Sequence, residues 1–272
     1  MTCDPHAGAS ADAAPLAPYS QDLVPVRLGD GIATITLSRA PANAFNRDMY
    51  DQLRHVFLEI ARDPAVRAAI LTGAGKLFCG GNEVGDFDGV TPQAAREYLT
   101  HIRQAYEAMH ACPVPVVGVI NGAAAGTGLI LASLCDIRVV ATHAVFLLPE
   151  INIGLAGGAC HLLRLVGQGT ARLMAYTGCR LDAAQAMRVG LADFVEPADA
   201  AMARGRTLAR DIAGKSATAI RQIKRGLNAY DSMSLEEGFA FECGLIADTL
   251  QTPEAARAIS AFLNNKRVSA LP

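Results

Sequence analysis

The residues Ala33-Thr34-Ile35-Thr36-Leu37-Ser38 alternate apolar and polar with a period of two, which predicts a strand with one buried face. The period then changes. Between Asn46 and Arg62 the apolar positions Met49, Leu53, Val56, Phe57 and Ile60 recur three and four apart, so this stretch predicts an amphipathic helix, entered through a turn containing Pro41 and Asn43. Ala68 to Thr72 reads as a short strand leading towards Gly80-Gly81. Thr91-Pro92 offers a side-chain cap followed by proline at the first helical position, and Tyr98, Leu99, Ile102, Tyr106 and Met109 continue a stripe to the stop at Pro113 and Pro115. Val116 to Ile120 predicts a buried strand, Leu129 to Leu134 the start of a buried helix, and Ile137 to Ala141 another strand. After Pro197 the periodicity is helical throughout, near residues 200–213, 217–229, 234–250 and 253–263. This is an alternating α/β pattern with a helical end. No sequence repeat accompanies it, although the strand-strand-helix rhythm suggests structural repetition. Three segments follow: a disordered tail over 1–20, an α/β core over 21–197 and a helical region over 198–272.

Composition narrows the classes. The tail is rich in Ala and Pro, carries no Lys or Arg and has no apolar stretch of signal-peptide type. At 272 residues and 51% hydrophobic the chain can bury a sizeable core, and a net charge of −2 without any Lys/Arg run argues against nucleic acid. Seven scattered cysteines without a C-x-x-C pair fit neither a disulfide framework nor a zinc site, which points to buried thiols, a reducing compartment and a cytoplasmic protein without a metal. Ala111 to Cys135 has no charged residue and is long enough to cross a membrane. Pro113, Pro115, Asn121, Gly122, Gly126 and Gly128 would break a lipid-exposed helix, so it reads as buried strand, glycine turn and buried helix.

The candidate chemistry lies in three segments. Leu77-Phe78-Cys79-Gly80-Gly81-Asn82-Glu83-Val84 and Asn121-Gly122-Ala123-Ala124-Ala125-Gly126-Thr127-Gly128 each follow an apolar run and can leave backbone N–H groups pointing into a cavity, as an oxyanion requires. Leu148-Pro149-Glu150-Ile151 adds a carboxylate flanked by apolar residues, where burial raises its pKa towards the range useful for moving protons. Isolated glycine pairs are by default mere tight turns. Gly122, Gly126 and Gly128 also imitate a dinucleotide fingerprint, but the motif lies mid-chain and none of the six tyrosines has a lysine four residues later, as the corresponding dehydrogenases would need. Cys79, Cys135 and Cys160 read as small core residues, and no nucleophile segment of a Ser-His-Asp hydrolase is recognisable. His161, after Gly157-Gly158-Ala159-Cys160, is a candidate for the surroundings of the pocket.

With Leu37-Ser38-Arg39-Ala40-Pro41-Ala42-Asn43-Ala44, Phe78-Cys79-Gly80-Gly81, Val119-Ile120-Asn121-Gly122, Pro149-Glu150, Tyr176-Thr177-Gly178 and Ala261-Phe262-Leu263 in this order, the chain resembles the crotonase superfamily, the enoyl-CoA hydratase/isomerase family, from about residue 24 to 267. The resemblance implies a spiral of ββα units with a C-terminal helical trimerisation region, assembled as a homotrimer or dimer of trimers. It implies an acyl-CoA substrate and no cofactor other than the CoA that arrives with it. The oxyanion donors would be the backbone N–H groups of Asn82 and Thr127, their side chains being secondary, and Glu150 would be the acid/base. Ala42, Ala44, Gly80, Glu83, Val84, Gly126 and Pro149 fall where members line the CoA and acyl channel, and Phe262 and Lys266 fall near the CoA of a neighbouring chain.

The departures bear on the reaction. Hydratases of the family usually hold two glutamates around the water; here the first position is Ile130, which leaves Glu150 alone. The stretch from Gly154 to Gly158 is shorter than usual, and no Lys or Arg stands in the Pro41 region where members contact CoA phosphates. One carboxylate suits a double-bond shift slightly better than hydration, while dehydration or decarboxylation of an unusual acyl-CoA stays open. An oligomeric homologue that binds a partner without catalysis is the alternative of another class.

Overall fold

The computed structural model describes residues 14–269, with side chains described through residue 264. The chain divides into two compact units, Met1–Ile212 and Ala213–Pro272.

In the first unit, β1 (Val26–Gly29) pairs antiparallel with β2 (Ile32–Leu37). The chain then crosses through α1 (Arg47–Arg62) to β3 (Ala68–Gly73), through α2 (Pro92–Ala111) to β4 (Val116–Ile120), and on past β5 (Ala124–Ala125) and α3 (Thr127–Leu134) to β6 (Ile137–Ala141). From β2 onward the strands run parallel in a sheet of order β1-β2-β3-β4-β6-β9, β9 being Phe194–Glu196. A second sheet joins β5, β7 (Val145–Leu147) and β8 (Arg180–Asp182). Of the helices α4 (Ala159–Leu162), α5 (Gln168–Thr177) and α6 (Ala183–Arg188), α6 packs against β7 and β8, and α7 (Ala198–Ala213) follows β9. Every residue of β3 and of β4 is buried, as expected of central parallel strands covered on both faces.

The helix ends follow the sequence. The Asn46 side chain accepts the Met49 N–H at 3.0 Å and Thr91 Oγ1 accepts the Ala94 N–H at 3.2 Å, each satisfying a donor left over at a helix start. Met49, Leu53, Val56, Phe57 and Ile60 are buried on α1, together with Tyr50. Among the described residues no helix is long and apolar enough to cross a membrane.

Two segment boundaries differ from those expected. From residue 14 the chain is part of the fold: the Ala17 N–H donates to Val26 O at 2.8 Å, Pro15 O accepts from Leu28, and Ala17 and Tyr19 are buried. The disordered tail expected over 1–20 is therefore corrected for Ala14 to Ser20, and the residues before them lie outside the described ones. The core also extends past 197. Along α7, Ala201, Gly205 and Ala209 recur every four residues and are buried, and a Cβ at Gly205 would lie 2.5 Å from Val119 of β4, so small residues bring this helix down on the sheet.

The second unit holds α8 (Ala217–Tyr230), α9 (Leu235–Leu250) and α10 (Pro253–Ser269). Ser234 and Glu237 form a reciprocal capping box at the start of α9. Ile223, Leu227, Leu235, Phe239, Ile246 and Leu250 are all exposed, Leu235 at 91%, far more apolar surface than a solitary helical unit ordinarily shows to water.

Asn43 braces the loop between β2 and α1. It is 3% exposed, its Oδ1 accepts the Arg39 N–H at 3.1 Å, and its Nδ2 donates to Ala74 O and Leu77 O at 2.9 Å each. Asn43→Ala strands those groups without partners and is expected to cost about 2–3 kcal/mol in urea unfolding. A loss below about 0.5 kcal/mol would show that the loop holds without the side chain.

Candidate active site

Three stretches of backbone end side by side. Cys79 pairs with Ala124 through an isolated parallel bridge, and Ala124 and Ala125 pair in parallel with Phe146 and Leu147. The Ala125 N–H donates to Cys79 O at 2.9 Å and the Gly126 N–H to Leu147 O at 3.0 Å. Because all three run in the same direction, they deliver Asn82, Thr127 and Glu150 to the same end. The offset of 45 residues that sets Cys79 against Ala124 also sets Asn82 against Thr127, whose side chains meet at 3.2 Å.

Close approach demands glycine here. A Cβ at Gly128 would lie 2.4 Å from Cys79 O, which no side chain tolerates. Gly126, at φ +50, caps α3, and a Cβ on it would stand 2.6 Å from Glu150 Oε1 and 3.7 Å from the Gly81 Cα. The carboxylate thus lies directly over the second turn, with the first turn beside it. Among the described residues neither the Asn82 nor the Thr127 backbone N–H has a hydrogen-bond acceptor, and Thr127 is the first residue of α3, where the helix itself supplies none. Each of these amides is thus left to donate to a ligand, and the Thr127 amide lies at the positive end of α3.

Glu150 sits in the 3₁₀ turn Pro149–Ile153 after β7. Its Oε2 is buried and without a hydrogen-bond partner among the described residues. Burial raises its pKa above the ordinary carboxylate range, and a hydrogen bond from its own backbone opposes the rise without cancelling it. The Cys79 thiol, buried between the turns, is pushed up to about 12 by burial, although the Gly81 N–H donates to it, so it cannot serve as a nucleophile. Cys160, expected in the core, is exposed, with its Sγ 3.2 Å from His161 Nδ1. Among the described residues no three His, Cys, Asp or Glu side chains gather to hold a metal ion.

The side chains of Asn82 and Thr127, expected to be secondary, are joined by two tyrosines that sequence reasoning missed. The Tyr106 hydroxyl donates to Thr127 Oγ1 at 3.1 Å, Thr127 Oγ1 lies 2.6 Å from the Tyr50 hydroxyl, and Tyr50 donates to Asn82 Oδ1 at 2.5 Å. Tyr50, Tyr106 and Thr127 are buried. Burial raises both phenol pKa values, so both remain donors. Tyr50 and Tyr106 fall in the apolar stripes of α1 and α2, where they pass for core. The available signal was that a buried phenol needs a partner, and that Asn82 and Thr127 place polar side chains beside the turns.

Of the other expected residues, Ala42 lies against Gly80, whose N–H donates to Ala42 O at 2.8 Å. Ala44 O accepts from Arg39 at 2.9 Å, and Arg39 pairs with Glu83 at 3.0 Å. A guanidinium does stand beside Pro41, then, but it braces Ala44 and Glu83. Val84 is exposed at the start of a 3₁₀ turn that runs to Phe87, and Pro149 opens the turn that carries Glu150. Phe262 lies on α10 of the second unit and is exposed, and the Lys266 side chain lies outside the described residues. Ile130 is buried on α3, its Cδ1 3.7 Å from where a Cβ at Gly158 would be.

Known proteins resemble this chain. The model of the enoyl-CoA hydratase/isomerase family matches residues 27–269. YngF of Bacillus subtilis (strain 168), which carries the name enoyl-CoA hydratase/isomerase, is 34% identical over 241 residues, 87% of this chain and 93% of its own. The short-chain-enoyl-CoA hydratase of Clostridium acetobutylicum is 29% identical over 87% of this chain and 93% of its own. The crystal structure of an enoyl-CoA hydratase from Mycobacterium smegmatis matches with a TM-score of 0.87 and 27% identity, covering 90% of this chain and 97% of that one. The α/β class with a C-terminal helical region, a crotonase-like fold, stands as expected.

The Glu150 environment has a consequence for stability. A carboxyl whose folded pKa lies above its unfolded value, about 4.3, leaves stability intact below that value and lowers it as pH rises through the folded one. Glu150→Gln cannot ionise, so it is expected to melt with the unmodified protein near pH 4 and above it near pH 8. A gap in melting temperature that does not widen with pH would show that the carboxylate is held at no cost.

Proposed function

The chain belongs to the enoyl-CoA hydratase/isomerase family, and from that membership we propose an enzyme that binds an acyl-CoA thioester and moves a proton with Glu150 alone, shifting a carbon–carbon double bond in preference to adding water. The thioester oxygen accepts the Asn82 and Thr127 N–H groups, which share the charge of the enolate and make the C2 proton acidic. One such donor is typically worth about 3–4 kcal/mol in the transition state. Glu150 takes the proton from C2 of a 3-enoyl thioester and returns it to C4, leaving the 2-enoyl product and the same carboxylate.

The observation that carries this reading is the buried Oε2 of Glu150, without a hydrogen-bond partner among the described residues, on a carboxylate held against the Gly126 turn. An acid/base about to meet a carbon acid has no use for a competing hydrogen bond, and a pKa raised by burial makes its carboxylate the stronger base. Ile130 supports the preference, because an apolar residue offers nothing to orient a water. Hydration by one carboxylate is the second reading, favoured by the Clostridium relative's name. CoA arrives as part of the substrate and no other cofactor takes part. The exposed apolar faces of the second unit favour a homotrimer or dimer of trimers in which Phe262 and Lys266 approach a neighbour's CoA. The cytoplasm suits the scattered cysteines.

Isomerisation of a 3-enoyl-CoA and hydration of a 2-enoyl-CoA of the same length, compared in deuterated water, test the reaction. Isomerisation is expected to be faster, and Glu150→Gln to lower it about a hundredfold or more while the protein remains folded. Fast hydration with negligible isomerisation would overturn the preference, and turnover by Glu150→Gln within a few-fold of the unmodified enzyme would overturn the role of Glu150. Normal oligomer formation without binding of any acyl-CoA in a small panel would favour the non-catalytic alternative.

Tyr50→Phe removes the hydroxyl that joins Asn82 to Thr127. It is expected to lower kcat about ten- to a hundredfold with KM little changed, because misaligned amides lose transition-state contacts first. An unchanged kcat in a folded variant would reduce Tyr50 to a packing role.

A further inference from the structure

The hydroxyl network that joins Asn82 to Thr127 leaves one of its own groups unused. Tyr106 donates to Thr127 Oγ1 at 3.1 Å, so Thr127 and Tyr50 each keep a hydroxyl proton to give. Asn82 Oδ1 takes both, from Tyr50 at 2.5 Å and from Thr127 at 3.2 Å. The oxygen edge of the Asn82 amide is thereby fixed against buried hydroxyls, and the planar group turns its Nδ2 edge the other way. Nδ2 carries two N–H donors, and among the described residues neither has an acceptor. Asn82 is half-buried, yet Nδ2 is not one of the buried polar atoms that lack a partner, so it opens on space that a ligand can reach.

That space adjoins the proposed thioester site. The Asn82 side chain belongs to the residue whose backbone N–H is left to donate, and it meets the Thr127 side chain beside the second such N–H. Glu150 Oε1 lies over Gly126, the residue before Thr127. Burial raises the Tyr106 pKa, and the charge of Glu150 is close enough to raise it further. Asn82 Nδ2 therefore stands within one side-chain length of the amide proposed to hold the thioester oxygen.

We propose that Asn82 Nδ2 recognises an uncharged carbonyl oxygen on the acyl group, a few bonds from the thioester carbon, and so selects oxo-acyl thioesters over plain hydrocarbon ones. The proposal rests on the thioester reading of the site and adds the substrate class. The thioester oxygen is already given two backbone N–H donors, one for each lone pair, so Nδ2 needs a different acceptor. A hydrocarbon chain laid over Nδ2 strips it of water and returns nothing. A carboxylate there meets the charge of Glu150. A hydroxyl brings a proton of its own, which competes for Glu150 because Asn82 Oδ1 is already taken by two donors. A ketone accepts without donating. The bonds from Tyr50 and Thr127 to Oδ1 also polarise the amide and strengthen its N–H groups as donors.

Calorimetric titration of the full chain with saturated acyl-CoAs of equal length tests this, using a hydrocarbon, ketones on C4, C5 or C6, and an acyl group ending in a carboxylate. At least one ketone is expected to bind roughly tenfold tighter than the hydrocarbon, and its position measures the reach of Nδ2. Asn82→Asp keeps an oxygen for Tyr50 and Thr127 but replaces the donor, so it should remove that advantage, and Asn82→Ala should remove it too. Because the ratio of two affinities is read, any shift of the turns that both ligands share cancels. Circular dichroism checks the fold of each variant, and the ratio for the unmodified protein tests the proposal without them. Equal affinity for the hydrocarbon and every ketone, tightest binding of the carboxylate, or a ketone advantage that survives both substitutions overturns the proposal and leaves the thioester reading standing. Failure of every acyl-CoA to bind overturns both.

Discussion

The backbone of Cys79 to Asn82 and that of Ala124 to Gly128 approach so closely that a single added carbon at Gly128 would collide with the Cys79 carbonyl. The chemistry proposed here depends on this contact. Parallel pairing forces the three neighbouring segments to end in the same direction, so two amides without acceptors and one carboxylate arrive together. A side chain larger than hydrogen would separate the turns and spread the amides past the reach of one oxygen.

Buried polar groups are expensive unless paired, and this site treats its own in two ways. The hydroxyls of Tyr50, Tyr106 and Thr127 are saturated by one another and by Asn82, which turns the costly groups into a clamp across both turns. Among the described residues Glu150 Oε2 has no partner, and burial holds its proton more firmly than water would. A rigid, satisfied frame around one group left for a substrate is what the proposed acid/base role of Glu150 requires, because it confines the cost of desolvation to that carboxylate.

Around that centre, residue size decides what approaches. Ala201, Gly205 and Ala209 let α7 lie directly on the sheet that presents the turns. Ile130 is buried on α3, while Tyr106, whose hydroxyl meets Thr127, turns its ring edge-on to His161 at the wall of a cavity of about 330 Å³. The same reaction frame can serve different acyl groups when only such peripheral positions change.

The sequence by itself determined the elements and their order. Thr91 caps the helix expected of it, the helix expected from Asn46 starts there, the strands at Val116–Ile120 and Ile137–Ala141 lie where apolar runs predicted, and the two glycine turns and Glu150 were legible as candidate chemistry because local backbone demands leave local residue signatures. Periodicity reports only which face of an element is apolar. It could not show that Ala14 to Ser20 joins the fold, that a stripe of small residues holds α7 on the sheet, or that Tyr50 and Tyr106, apparently core, meet at Asn82 and Thr127. Nor could it place the Tyr106 side of the pocket beside His161 and Arg164. Each of these is a contact between segments distant along the chain, set by strand pairing and packing, and only the tertiary structure decides which side chains those forces bring within hydrogen-bond distance.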